Sequence, residues 1–154
     1  MIKIVKEKTC AVTGHRVLGE DFDERLLRSV LLTLINMGYN TFLCGMALGF
    51  DSVCFKVLEK IREDIDIKII ACIPCRTQSY KYSYKQKKEY ERMLSVSDEK
   101  IVLSEEYTPY CMQKRNMFMV DNCSVLVSYL RQKRGGTFNT VSYAERSGIK
   151  IVRI

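Results

Sequence analysis

Short apolar runs rich in β-branched residues alternate with stretches whose apolar residues recur every three to four positions. The first kind marks a buried strand, the second an amphipathic helix. A strand is expected at 9–13. Leu26, Leu27, Val30, Leu31, Leu34 and Ile35 then follow helical spacing, with Asp21 or Asp23 as cap and Gly38 as stop. A second strand is expected at 41–44, and a helix after Gly49 carries Val53, Cys54, Val57, Leu58 and Ile61 on one face. Residues 67–73 read as a third strand stopped by Pro74, 84–97 as a helix, 100–103 as a fourth strand and 110–122 as a helix. A fifth strand at 124–130 runs through Arg131, Lys133 and Arg134 into a helix marked by Val141 and Ala144 and closed by Gly148. A last strand follows at 149–154.

Five strand–helix pairs plus a closing strand predict an α/β domain over 1–154. Its form is a Rossmann-like three-layer α/β/α sandwich with a mostly parallel six-stranded sheet. Ligands of such sheets bind beyond the carboxyl ends of the strands, near the point where strand order reverses. The loops after the strands therefore carry the candidate chemistry.

Gly135, Gly136 and Thr137 sit where the fifth strand hands over to a helix. Free backbone N–H groups, a helix dipole and close approach at glycine make this a candidate phosphate site, reinforced by the basic residues before it. Gly14, His15 and Arg16 follow the first strand, without the G-x-G-x-x-G pattern of dinucleotide folds. After the second strand come Gly45, Met46, Gly49 and Asp51. All four are candidate ligand contacts: the glycines would bring backbone close to a ligand, and the Asp51 carboxylate is expected either to cap the following helix or to meet the ligand, the cap being favoured. Arg115 and Asn116, near the start of a helix, are expected to aim into the cleft with Met117 and Val120 packed beneath. The methionines at 112–119 fit either the core or a homodimer interface. Tyr80, Lys81, Tyr82 and Lys85 interleave aromatic and basic groups. That pattern suits either base stacking with phosphate attraction or a solvated helix face.

Composition narrows the classes. Hydrophobic residues make up 47% and charged residues 28% of 154, as in globular domains. No apolar run is long enough to span a bilayer, and the N-terminus lacks a signal core, so a cytoplasmic location and no membrane partner are expected. A net charge of +7 favours phosphorylated ligands or nucleic acid. The seven cysteines lie mostly in apolar runs and read as reduced, buried thiols. Cys72 and Cys75 have redox or metal spacing, but no second pair and no histidine cluster accompany them, and His15 is the one histidine. No metal is expected.

Taken together and in order, these loops resemble a known group. Gly45-Met46-Ala47-Leu48-Gly49-Phe50-Asp51 resembles the glycine–acid motif of the Rossmann domain of DNA-processing protein A (Smf). Arg115-Asn116, then Gly135-Gly136-Thr137 and Thr140 ahead of Ala144-Glu145, resemble that family's later motifs. Thr13-Gly14-His15-Arg16 resembles the YpsA-like branch of the same SLOG superfamily, which includes the lysine-decarboxylase-like cytokinin-activating proteins. The resemblance covers nearly the whole chain. It implies a Rossmann-like fold and a site for a nucleotide or ADP-ribose-like ligand, in a sensor or regulator. Single-stranded DNA is the alternative guest. Some members hydrolyse the N-glycosidic bond of nucleoside monophosphates, using Pro-Gly-Gly-x-Gly-Thr-x-x-Glu. Aligning their Gly-Thr on Gly136-Thr137 puts the catalytic glutamate position on Thr140, and Arg115 on their arginine. The phosphate-handling parts are matched and the hydrolytic carboxylate is not, so a binding role is expected ahead of an enzymatic one.

Overall fold

Alternation along the strands decides which layer each residue joins. The computed structural model describes residues 1–154. After a 3-10 turn at Lys6–Lys8, the order is β1 (Thr9–Gly14), α1 (Glu24–Asn36), β2 (Thr41–Cys44), α2 (Phe50–Arg62), β3 (Lys68–Ile73) and α3 (Tyr84–Val96). Then come β4 (Glu99–Val102), α4 (Cys111–Asp121), β5 (Val125–Tyr129), α5 (Gly136–Arg146) and β6 (Lys150–Arg153). All strands are parallel, in the order β4-β3-β2-β1-β5-β6.

Cys10 and Val12 of β1, Phe42 and Cys44 of β2, Ile69 and Ala71 of β3, and Val125 and Val127 of β5 face one layer. They meet Leu27, Leu31, Phe55, Leu58, Tyr90 and Met93 of α1, α2 and α3. Their neighbours Ala11, Leu43, Ile70, Cys72 and Leu126 face the opposite layer and meet Met119, Val120, Val141 and Ala144 of α4 and α5. Period-two strands with both faces covered produce this double core. The layers also explain the topology. The chain steps outward from β1 to β4 with helices on one face, then returns to β5 and β6 with helices on the other, so strand order reverses between β1 and β5.

The helix starts are set by local chemistry. Asp23, not Asp21, caps α1, accepting from the N–H groups of Arg25 and Leu26. Ser83 and Gln86 form a reciprocal capping box on α3. By contrast, α2 and α5 begin at Gly49 and Gly135, which carry no side chain to cap them. Beneath α4 the buried pair is Met119 and Val120; Met117 is half-buried.

Candidate functional site

The reversal between β1 and β5 opens a cleft of about 920 Å³ at the carboxyl edge of the sheet. The turn after β1 supplies one wall. Gly14 has no side chain because the Phe50 ring occupies that space. Gly49, with φ of +81°, lies against the Arg16 backbone, where any side chain would overlap the Arg16 carbonyl oxygen. The Phe50 N–H then donates to the His15 carbonyl at 3.1 Å, which locks the turn onto the start of α2. Gly49 therefore shapes the cleft from behind without lining it.

His15 braces the two walls. Its Nε2 accepts the Arg131 N–H at 2.8 Å and its ring meets Tyr129 edge-on. Partial burial, and then the Arg131 charge, lower its pKa, so the imidazole is a neutral strut at physiological pH. Arg131 itself is paired with a carboxylate. It donates through Nε to Asp21 at 2.6 Å and through Nη1 to the Ile154 carbonyl at 2.9 Å, and it stacks over the Tyr129 ring. The Tyr129 hydroxyl donates to Asp21 at 3.0 Å and accepts the Gly19 N–H at 3.0 Å. Two guanidinium groups on the cleft remain exposed and unpaired with any carboxylate, Arg16 and Arg134.

The floor is built by α4. Arg115 is 5% exposed. Its Nη1 donates to the Gly45 carbonyl and, at 3.3 Å, to the Cys72 carbonyl, while its Nε donates to Asn116 Oδ1 at 2.7 Å. The pair lines the cleft as expected, but Arg115 spends much of its donor capacity tying α4 to the ends of β2 and β3. Gly45 fits between Arg115 and Asp51, since a methyl group there would stand 2.9 Å from the guanidinium carbon and 3.0 Å from Asp51 Oδ2. Asp51 is not a helix cap. Its Oδ2 turns back to accept the Ala47 N–H at 3.2 Å, and its Oδ1 makes no hydrogen bond. Only 7% of the residue is exposed, and that edge is on the cleft. Burial raises its pKa to about 6 against the opposing pull of Arg115, the Ala47 N–H and Arg16.

The loop from β5 to α5 closes the site. Gly135 adopts φ of +93°, Gly136 faces open space and Thr137 forms the first helical turn. No backbone N–H from Gln132 to Phe138 has a hydrogen-bond partner; the series of bonds resumes at Asn139, which donates to Gly135. The helix dipole is directed at the same spot.

Several expected residues lie elsewhere. Thr140 donates its hydroxyl to the Gly136 carbonyl at 2.8 Å and lines a separate groove between α4 and α5. Met46 is buried at φ of +63°, and its carbonyl accepts the Tyr82 hydroxyl at 3.3 Å. Tyr82 packs edge-on to Tyr90. Lys85 borders a groove between α2 and α3, and Tyr80 and Lys81 are exposed and do not line the cleft. Of the four candidates in the tyrosine–lysine stretch, Tyr82 alone is packed, and Tyr80, Lys81 and Lys85 are exposed. Cys72 and Cys75 are free buried thiols, and no cluster of three His, Cys, Asp or Glu residues forms anywhere. No helix is long and apolar enough to cross a membrane.

Asp21, Tyr129 and Gln132 also line the cleft and were not anticipated there. An aromatic residue ending a strand just before a basic loop was the available signal for Tyr129. The Asp21–Arg131 pairing spans 110 residues and leaves no local pattern.

A family model, the YspA SLOG family, matches residues 22–148. The chain belongs to that family. A curated relative is the uncharacterized SPbeta prophage-derived protein YoqJ of Bacillus subtilis (strain 168). It is 34% identical over 121 residues, which cover 69% of this chain and 70% of the relative. Among solved structures, DNA processing protein A of Streptococcus pneumoniae superposes with a TM-score of 0.71 at 19% identity, covering 96% of this chain and 50% of that one. DNA processing protein A of Helicobacter pylori, whose structure concerns its single-stranded DNA binding mode, gives 0.67 at 15% identity, covering 96% and 65%. The SLOG chain thus spans half to two thirds of these structural neighbours and shares their Rossmann-like fold.

Proposed function

We propose that this SLOG domain binds a small phosphorylated, nucleotide-like ligand and serves as a sensor or regulatory module. The observation that carries the reading is the run of unpartnered N–H groups from Gln132 to Phe138 at the mouth of the cleft. A phosphate seated at Gly135, Gly136 and Thr137 would accept from the N–H groups of those three residues and gain from the α5 dipole. Arg134 and Arg16 are free to close on it from two sides. Arg115 acts from below as a buried positive charge that also fixes the floor. In the position of the phosphoribohydrolase glutamate stands Thr140, its hydroxyl committed to the helix backbone, which favours binding over hydrolysis.

Isothermal calorimetry and thermal unfolding against AMP, GMP, CMP, UMP, ADP and ADP-ribose test the reading. A ligand at 100 times its dissociation constant adds about 2.7 kcal/mol. For a chain this size that is a rise in Tm of roughly 5–10 °C. No shift and no heat with any of the six at millimolar concentration would sink it.

Single-stranded DNA is the second reading, favoured by the likeness to the Helicobacter protein and by the exposed Tyr80, Lys81 and Lys85. It predicts binding whose logarithm falls with the logarithm of salt at about −0.7 per phosphate neutralised. Affinity unchanged in a Lys81→Ala, Lys85→Ala double variant would remove the contribution of that stretch.

A further inference from the structure

Asp51 is an anomaly in a site otherwise built for anions. Its carboxylate lies on the floor of a cleft walled by Arg16, Arg115, Arg131 and Arg134. It forms no ion pair with any of them. One oxygen is satisfied by the Ala47 N–H and the other by nothing. Elsewhere the core leaves a single buried side-chain polar atom without a partner, the Ser128 hydroxyl. The open oxygen of Asp51 is absent from that class because it is reachable from the cleft. A nearly buried carboxylate with an unpaired oxygen carries a desolvation cost that a hydrogen-bond donor in the cleft would relieve.

The chemistry of that donor is restricted by its surroundings. An ammonium group or a metal ion would be repelled by the arginines and by the positive end of α5, and the cleft's other carboxylate, Asp21, is taken by Arg131, so no ligand cluster stands by to hold a metal. A phosphate would be repelled by Asp51 itself. What fits is a neutral O–H donor on a ligand whose anionic end lies at the β5–α5 loop. On the nucleotide reading above, on which this step rests, such a donor is a hydroxyl of the sugar. We propose that Asp51 accepts a hydrogen bond from a ribose hydroxyl and makes the cleft select ribonucleotides over their deoxy counterparts. Asp51 is thus a specificity residue. The same contact sets the ligand's direction, with the sugar hydroxyls on the floor and the phosphate at the rim.

The test compares AMP, GMP, CMP and UMP with the matching 2′-deoxy, 3′-deoxy and 2′,3′-dideoxy monophosphates by calorimetry. It uses the wild-type chain and Asp51→Asn, whose fold is checked by circular dichroism. The expected result is that the best ribonucleotide binds the wild type at least tenfold more tightly than its dideoxy form, with the difference abolished in Asp51→Asn. The wild-type comparison needs no variant and stands even if Asp51→Asn fails to fold. Equal binding of ribo and dideoxy forms by the wild type would overturn the inference and leave the nucleotide reading intact. Selectivity that persists in Asp51→Asn would overturn the assignment to this residue. Absence of binding by every monophosphate would overturn both.

Discussion

An Asp51→Asn substitution separates the charge of the cleft carboxylate from its shape, and its effect on stability can be worked from burial. Ionisation of Asp51 moves from an ordinary 3.8 to about 6 in the folded chain. At about 1.4 kcal/mol per tenfold in proton affinity, keeping the group ionised at neutral pH costs the fold about 3 kcal/mol. Proton counting fixes the sign. Between pH 3.8 and about 6 the folded chain holds a proton on Asp51 that the unfolded chain has released. Stability therefore falls as pH rises through that window and levels off above it. Asparagine keeps the shape, offers an amide oxygen to the Ala47 N–H and does not titrate, while Arg115 stays charged in both proteins. Other titrating groups cancel in the comparison. The unfolding free energy of the variant minus that of the wild type should thus grow by about 3 kcal/mol between roughly pH 3.5 and 7.5. Urea unfolding at half-unit steps measures it, with equal m-values as the check that the unfolded states match. A difference flat to within about 0.5 kcal/mol, or one that shrinks as pH rises, would refute the buried-carboxylate account.

The glycines give a paired prediction. Gly49→Ala, which drives a methyl group into the Arg16 carbonyl at a positive φ, should cost more than about 4 kcal/mol or abolish folding. Gly136→Ala, in open space, should stay within about 1 kcal/mol of the wild type; urea midpoints decide both. Tyr129→Phe removes the hydroxyl shared by Gly19 and Asp21 and should destabilise by about 1–3 kcal/mol, read the same way, while a neutral result would detach that network from the fold. All seven cysteines are buried, and burial pushes the Cys72 and Cys123 thiols up to about 12. A thiol reagent at pH 8 should accordingly label none within minutes in the native protein and all seven in guanidinium chloride. Arg134→Ala and Arg16→Ala should each weaken any phosphorylated ligand by about 1.5–3 kcal/mol in calorimetry, whereas an Arg76→Ala control, which does not line the cleft and is paired with Glu105, should leave affinity unchanged.

What could be read from the chain follows the range of the forces involved. The six strands and five helices were legible because each announces itself within a dozen residues, through alternation in Val125–Tyr129 or helical spacing from Leu27 to Leu34. The β5–α5 loop was legible for the same reason, since strand, glycine pair and helix start are contiguous. Asp51 lies on the cleft among the expected ligand contacts, but the cap that its position near a helix start suggests does not form. The positive φ at Gly49 instead packs the chain onto Arg16 and leaves the carboxylate to bend back onto Ala47. Thr140 was misplaced because a motif alignment fixes position along a helix but not where the hydroxyl points. Arg115 was placed correctly in the cleft, yet its engagement with carbonyls 70 and 43 residues away is tertiary and has no local trace.

The same distinction governs the meaning of the basic surplus. A net charge of +7 invites a polyanion reading, but the charge that counts is the part left free at one place. Arg62 is taken by Asp98, Arg76 by Glu105, Arg92 by Glu59 and Glu89, and Arg131 by Asp21. Arg115 is occupied by backbone carbonyls. On the cleft this leaves Arg16, Arg134 and the open end of α5, a field sized for one phosphate group. Extended nucleic acid would need a continuous track of free cations, and neither exposed lysine, 81 or 85, lines the cleft that holds that field. The distribution of unpaired charge, rather than its sum, favours a compact guest with one anionic end and one hydroxyl-bearing end.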